Sequence, residues 1–263
     1  MIYVLGDSFS FGYNFWLENK PNRNELLYSH FLSKKLNSPV KNLSVPGSSN
    51  WRISRILNNL NLTEDDYVII AWSSNDRSET GFSKNSLFPK DTQYNIKDLE
   101  NISFENDYRK IVHGFEKDGN IITAKLLPSL YINGLENIDN HLFRQYVNIN
   151  YEHFFNPDYL ENMFLVCFNS AVYKCIRSKC KFIMFNVFWK SYSRPCDLLN
   201  IPEYYLGYDN NMSSILRPNT KPKRGKFGLD YWTEVYTNSE YWNEEEHKKV
   251  ADLLYNQLQE LYP

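Results

Sequence analysis

The chain has 263 residues, with 29 Lys and Arg against 31 Asp and Glu and a formal charge of −2. That balance builds no global field toward nucleic acid or an anionic membrane. The length suits a single α/β domain with insertions, large enough to bury a sizeable core.

The opening residues, Ile2 to Gly12, form a short apolar run that breaks at Gly6 into a small-residue turn carrying Ser8. Ile2 to Leu5 read as a buried strand ended by Gly. Ser8 then lies at the strand's carboxyl end, the edge where open parallel sheets bind ligands. The bland alternative is a strand-turn-helix junction in which Ser8 caps the helix. Residues 24 to 36 place Leu27, Phe31, Leu32 and Leu36 on one helical face. Pro39 to Val45 reads as a second strand, closed by Pro46-Gly47-Ser48-Ser49-Asn50, and a helix follows over Trp51 to Leu62. Asp66 to Trp72 is the clearest strand, ending in Ser73-Ser74-Asn75-Asp76. Three strand-turn-helix units deliver Ser8, Gly47 and Asn75 to one edge of one sheet, a pattern that argues for parallel strands with right-handed crossovers.

From Arg77 to about Asn156 the periodicity weakens, with short helical patches near 98 to 117 and 140 to 154, and residues 78–156 read as an insertion or lid. Asn156-Pro157 starts a stronger helix, with Leu160, Phe164, Cys167, Phe168, Ala171 and Cys175 along one stripe. Lys181 to Phe188 is a fourth strand. Residues 189 to 240 read as loop, including a basic stretch from Arg217 to Lys226 taken as a solvated charge run. The last helix spans about Glu244 to Leu261, capped by Asn243 with Glu246 three residues on. The cysteines, Cys167, Cys175, Cys180 and Cys196, form no C-x-x-C pair and read as reduced thiols in packing positions, with no metal site expected. No run of 18 apolar residues exists and Met1 leads straight into a strand, so a cytoplasmic protein without membrane partners is the expectation.

Together these blocks resemble the SGNH (GDSL-type) hydrolase superfamily: Gly6-Asp7-Ser8 matches its first block, Asn42 to Gly47 its second, and Ser73-Ser74-Asn75-Asp76 its third, with Ser in place of Gly. The Trp72…Arg77-x-Glu79 continuation also looks like a branch often encoded by tailed phages, in which case host cytoplasm or virion would be the location. The resemblance implies a three-layer α/β/α sandwich, with a flavodoxin-like parallel sheet and a mostly helical insertion. It implies that Ser8 attacks an ester carbonyl while the Ser8 and Gly47 N–H groups and the Asn75 amide hold the oxyanion, and that Asp7, Asp76, Arg77, Glu79 and Tyr241 line the site. It brings no cofactor, and it names small-molecule or glycan esters as substrates.

The family's C-terminal Asp-x-x-His block is where the chain departs. In the matching stretch, Asn238 stands for the acid and Tyr241 for the base, and His247 aligns with a later helical histidine. A serine hydroxyl needs a base to become a nucleophile. His247 is the nearest candidate in this block; His113, His141 and His153 belong to the insertion. Two readings follow: an esterase acting through Ser8, or a catalytically silent descendant that binds a ligand or serves as a phage structural module.

Overall fold

The computed structural model describes residues 1–73, 78–83, 112–118, 121–126, 157–187, 201–206, 211–217 and 241–263. The chain divides into two compact units, Met1–Ser74 with Leu165–Pro263, and Asn75–Phe164. Among the described residues no helix is long and apolar enough to cross a membrane.

The first unit is built on four parallel strands: β1 (Ile2–Leu5), β2 (Val40–Asn42), β3 (Tyr67–Trp72) and, after the insertion, a strand at Lys181–Asn186, in the spatial order β2, β1, β3, Lys181–Asn186. The central strand β3 is apolar from Val68 to Trp72 and fully buried there, which requires cover on both faces. On one face Ile2, Val4, Ile69, Ala71, Ile183 and Phe185 share a core with Tyr28, Leu32, Val250, Leu254 and Leu258. These last come from α3 (Tyr28–Leu36) and the C-terminal helix Glu244–Leu261, preceded in the chain by the short α1 (Ser8–Phe11) and α2 (Tyr13–Leu17). On the other face the indole of Trp72 meets Phe168 with ring centroids 5.8 Å apart. Phe168 belongs to the helix Pro157–Ser178, and α4 (Asn50–Asn58) buries Ile53 and Leu57. Helix, sheet and helix make the three layers the sequence implied.

The second unit departs from expectation. A mostly helical insertion was expected, yet its described residues include three strands: β4 (Ser78–Ser83), β5 (Val112–Asp118) and β6 (Ile121–Leu126), paired antiparallel in the order β4, β6, β5. The helical patch expected near 98 to 117 is therefore strand over its last part. Apolar residues there satisfy helical spacing by accident, and short runs do not separate the two periods; the patch at 140 to 154 lies outside the described residues. With these strands counted, Lys181–Asn186 is β7, Pro157–Ser178 is α5, Met212–Leu216 is α6 and Glu244–Leu261 is α7.

The helix expected over 24 to 36 is also broken. Arg23–Leu26 is a 3-10 turn, Leu27 is extended at φ −91° and ψ 150°, and α3 starts at Tyr28. Leucine has no side-chain acceptor for the exposed N–H groups of a helix start. That need is met from elsewhere in the chain, by His247.

At helix ends the chain chemistry is plain. Asn37 closes α3 in the left-handed region at φ 46°, and Lys179 follows α5 at φ 55°. In the α5 cap the residues at the usual contact positions are Cys175 and Cys180, and the Cys180 thiol donates to the Cys175 carbonyl at 3.6 Å. Cys167, Cys175 and Cys180 are buried thiols outside any disulfide; Cys196 lies outside the described residues.

Candidate active site

Because β1, β2, β3 and β7 run parallel, their carboxyl ends share one edge, and the loops leaving them carry the candidate residues. In the first loop the Asp7 carboxylate caps α1, accepting the Phe9 N–H at 3.0 Å. The cap is thus Asp7, and the Ser8 hydroxyl is left free of that task. Ser8 is 6% exposed, and among the described residues neither its hydroxyl nor its N–H has a hydrogen-bond partner. Gly6 is required by space: a Cβ there would lie 2.5 Å from the Ser10 Oγ and 3.0 Å from the Ala71 Cβ.

The second loop is laid alongside the first by two backbone bonds, Leu43 N–H to the Val4 carbonyl at 2.8 Å and Val45 N–H to the Gly6 carbonyl at 3.3 Å. The Asn42 amide donates to the Ser10 carbonyl at 2.7 Å. Val45-Pro46-Gly47-Ser48 is then a tight turn closed by Ser48 N–H to the Val45 carbonyl at 3.1 Å, with Gly47 at φ 72°. Proline second and a left-handed glycine third is the type II pattern. The Gly47 N–H, like that of Ser8, has no hydrogen-bond partner among the described residues.

Ser73, just past β3, ties the loops together. Its hydroxyl donates to the second Asp7 carboxylate oxygen at 3.0 Å, while the Asn50 side chain accepts the Ser73 N–H at 2.8 Å and donates to its carbonyl at 3.1 Å. Asp7, Ser73 and Asn50 are all buried, so these hydrogen bonds meet polar groups that water does not reach.

The C-terminal block packs against the same first loop. The Tyr241 ring lies 4.9 Å from that of Phe9, the residue after Ser8, and 5.4 Å from that of Tyr13. Trp242 is buried edge-on to Phe9, and its carbonyl accepts from the Asn14 amide at 3.1 Å. The block is held by Glu246, which closes a capping box with Asn243 and takes both a direct Nε contact and a 2.7 Å Nη2 bond from Arg217. Burial would raise the Glu246 carboxyl, but the Arg217 guanidinium and the Asn243 N–H outweigh it and hold it below the ordinary range. Arg217 is therefore an ion-pair partner and not part of a solvated run; residues 218 to 226 lie outside the described residues.

The candidate base His247 has a different task here. It is 1% exposed, stacked on Tyr28, and its Nδ1 accepts the Tyr28 N–H at 3.2 Å. Burial pushes it down to about 3, against a smaller opposing pull from Glu246. So low a value leaves the ring neutral and a feeble base. Among the described residues no hydrogen bond joins it to Ser8.

The matching family model is the GDSL-like lipase/acylhydrolase, which aligns with residues 2–191. The chain belongs to that family. Among solved structures, this GDSL-family chain is similar to a G-D-S-L-family protein from Desulfitobacterium hafniense DCB-2, at 10% identity and a TM-score of 0.42 over 97% of this chain and 98% of that one. No curated protein matches it. The aligned span of this GDSL chain holds Ser8, Gly47 and Asn75 and stops before Tyr241 and His247.

Of the remaining candidates in this GDSL-family chain, Asn75, Asp76 and Arg77 lie outside the described residues. Glu79 falls in β4, in register with Lys125 of β6. Sequence reasoning passed over Asn50 and Ser73, which looked like an ordinary helix start and turn. It also passed over Asn186, the last residue of β7 and the neighbour in register of Trp72. Asn186 is 1% exposed, and among the described residues neither of its amide atoms has a hydrogen-bond partner. An amide closing an otherwise apolar strand was the available signal.

Proposed function

We propose that this protein hydrolyses small acyl esters, such as O-acetyl groups on a glycan, with the Ser8 hydroxyl as nucleophile. The observation that carries the reading is the state of Ser8. It heads a helix at the carboxyl edge of a parallel sheet, with Asp7 doing the capping and Ser73 fixing Asp7. Ser8 oxygen would bond to the acyl carbon as its proton passes to a base, and the alcohol would leave with a proton. Water would then release the acid from the acyl-serine. The N–H groups of Ser8 and Gly47 are unspent among the described residues, and with the Asn75 amide they supply the family's oxyanion donors. Each such donor is typically worth about 3 to 4 kcal/mol at the transition state.

A second reading, a silent member that binds ligands in the same cleft, is favoured by His247. The histidine nearest the family's base position is committed to the Tyr28 N–H. On the esterase reading the base comes from elsewhere, with His113, His141 and His153 as candidates.

The test is labelling with a fluorophosphonate, read by intact mass and peptide mapping. Stoichiometric modification of Ser8, lost in Ser8→Ala, is the expected result, and substitution of the three insertion histidines then identifies the base. Absence of labelling in folded protein would overturn the esterase reading in favour of the silent one.

A further inference from the structure

The described surface carries one groove that the chemistry at Ser8 does not use. It measures about 550 Å³ and is lined by α2 and the turn after it, with Trp16, Asn19, Lys20, Asn22, Asn24 and Glu25 among its residues. Trp16 is 52% exposed, although its ring stacks on Tyr13 at 5.4 Å with 24° between planes. The ring is thus held flat by a neighbour and still offers area to solvent. Asn19 and Asn22 sit in the left-handed region at φ 51° and 60°, which fixes the turn that carries the amides. Asparagine is among the few side chains that tolerate that backbone.

We propose that this groove is a saccharide-binding subsite. A pyranose presents a patch of C–H groups on one face and hydroxyls round its rim. The first suits a fixed, exposed aromatic ring, and the second suits amides that both donate and accept. The volume falls within the range of small-ligand sites. The lining also holds Lys20 and Arg23, the first paired with Glu18 at 3.4 Å and the second with its guanidinium over the Phe11 ring at 4.2 Å, so donors for sugar hydroxyls are present on both sides of the amides. A protein partner is disfavoured, because a specific interface needs a broader face of about 800 Å² per side. The groove also connects with the first loop. Rings run from Phe9 through Tyr241 and Tyr13 to Trp16 at centroid steps of 4.9, 5.4 and 5.4 Å. A glycan seated on Trp16 therefore lies on an aromatic path that leads to the neighbour of Ser8.

The subsite stands whether or not Ser8 is catalytic, and the experiment separates the two. Full-length protein labelled with 5-fluorotryptophan is titrated with maltotriose, cellotriose and chitotriose by fluorine NMR, with the Trp16 resonance assigned through Trp16→Phe. At least one trisaccharide should move that resonance saturably. Affinity is then measured from the sugar side, by saturation-transfer proton NMR: Trp16→Ala should weaken binding at least tenfold, Trp16→Tyr should retain it within threefold, and Ser8→Ala should leave it unchanged. A Trp16 signal indifferent to all three sugars into the tens of millimolar, or affinity untouched by Trp16→Ala, overturns the proposal.

Discussion

Acid should destabilise this protein through His247 well before its carboxylates matter. Buried and neutral, the imidazole titrates at about 3 in the folded chain against an ordinary 6.5. A depressed folded value means that the unfolded chain binds the proton first. The stability is therefore complete above about pH 6.5, shrinks as the pH falls below it, and continues to shrink until the folded ring itself titrates. Between about pH 7 and pH 5 the linkage amounts to about 2 kcal/mol, from a ceiling of about 5 kcal/mol for the whole span. Glu246, held below its ordinary value, works in the same direction, but chiefly below about pH 4.5. Urea unfolding at the two pH values, followed by circular dichroism, measures the loss. His247→Asn keeps an acceptor for the Tyr28 N–H and cannot titrate, so it should show a lower starting stability and almost none of the pH-dependent loss. A variant that loses as much stability as wild type between the two pH values would refute the assignment of the slope to this ring.

Two further outcomes follow from the sheet edge. Asn50→Ala strips the Ser73 N–H and carbonyl of their buried partners, and thermal or urea unfolding should show a loss of about 3 kcal/mol, with the phosphonate reaction at Ser8 slowed as its loop loosens. Asn186→Leu should raise stability by about 1 to 2 kcal/mol, because it removes a buried amide that makes no hydrogen bond among the described residues. An unchanged or lowered stability would mean that the amide has a partner in solution.

What the sequence made legible was local. The strands at Ile2, Tyr67 and Lys181 announced themselves by unbroken apolar runs, and Asn243 with Glu246 marked the start of α7 because a capping box is complete within four residues. The Gly-Asp-Ser and Pro-Gly blocks located Ser8 and Gly47 for the same reason, since each turn states its geometry in its own residues. What escaped was decided over distance. Leu27 breaks the expected helix because a histidine 219 residues away serves the Tyr28 N–H, and no local pattern contains that partner. Ser73 reads as a turn residue until Asp7 and Asn50 are brought to it. The strands of the insertion were hidden by apolar residues spaced ambiguously between the helical and extended periods.

The docking of Tyr241, Trp242 and His247 on the segment from Phe9 to Tyr28 also has a temporal side. During synthesis Tyr28 emerges 219 residues before the His247 that serves its N–H. Local helix and strand formation cannot substitute for contacts of such sequence separation, whose closure carries a large loop entropy. The loop around Ser8 is accordingly fully packed only once Tyr241, Trp242 and His247 have joined it, so its final shape is set late in assembly.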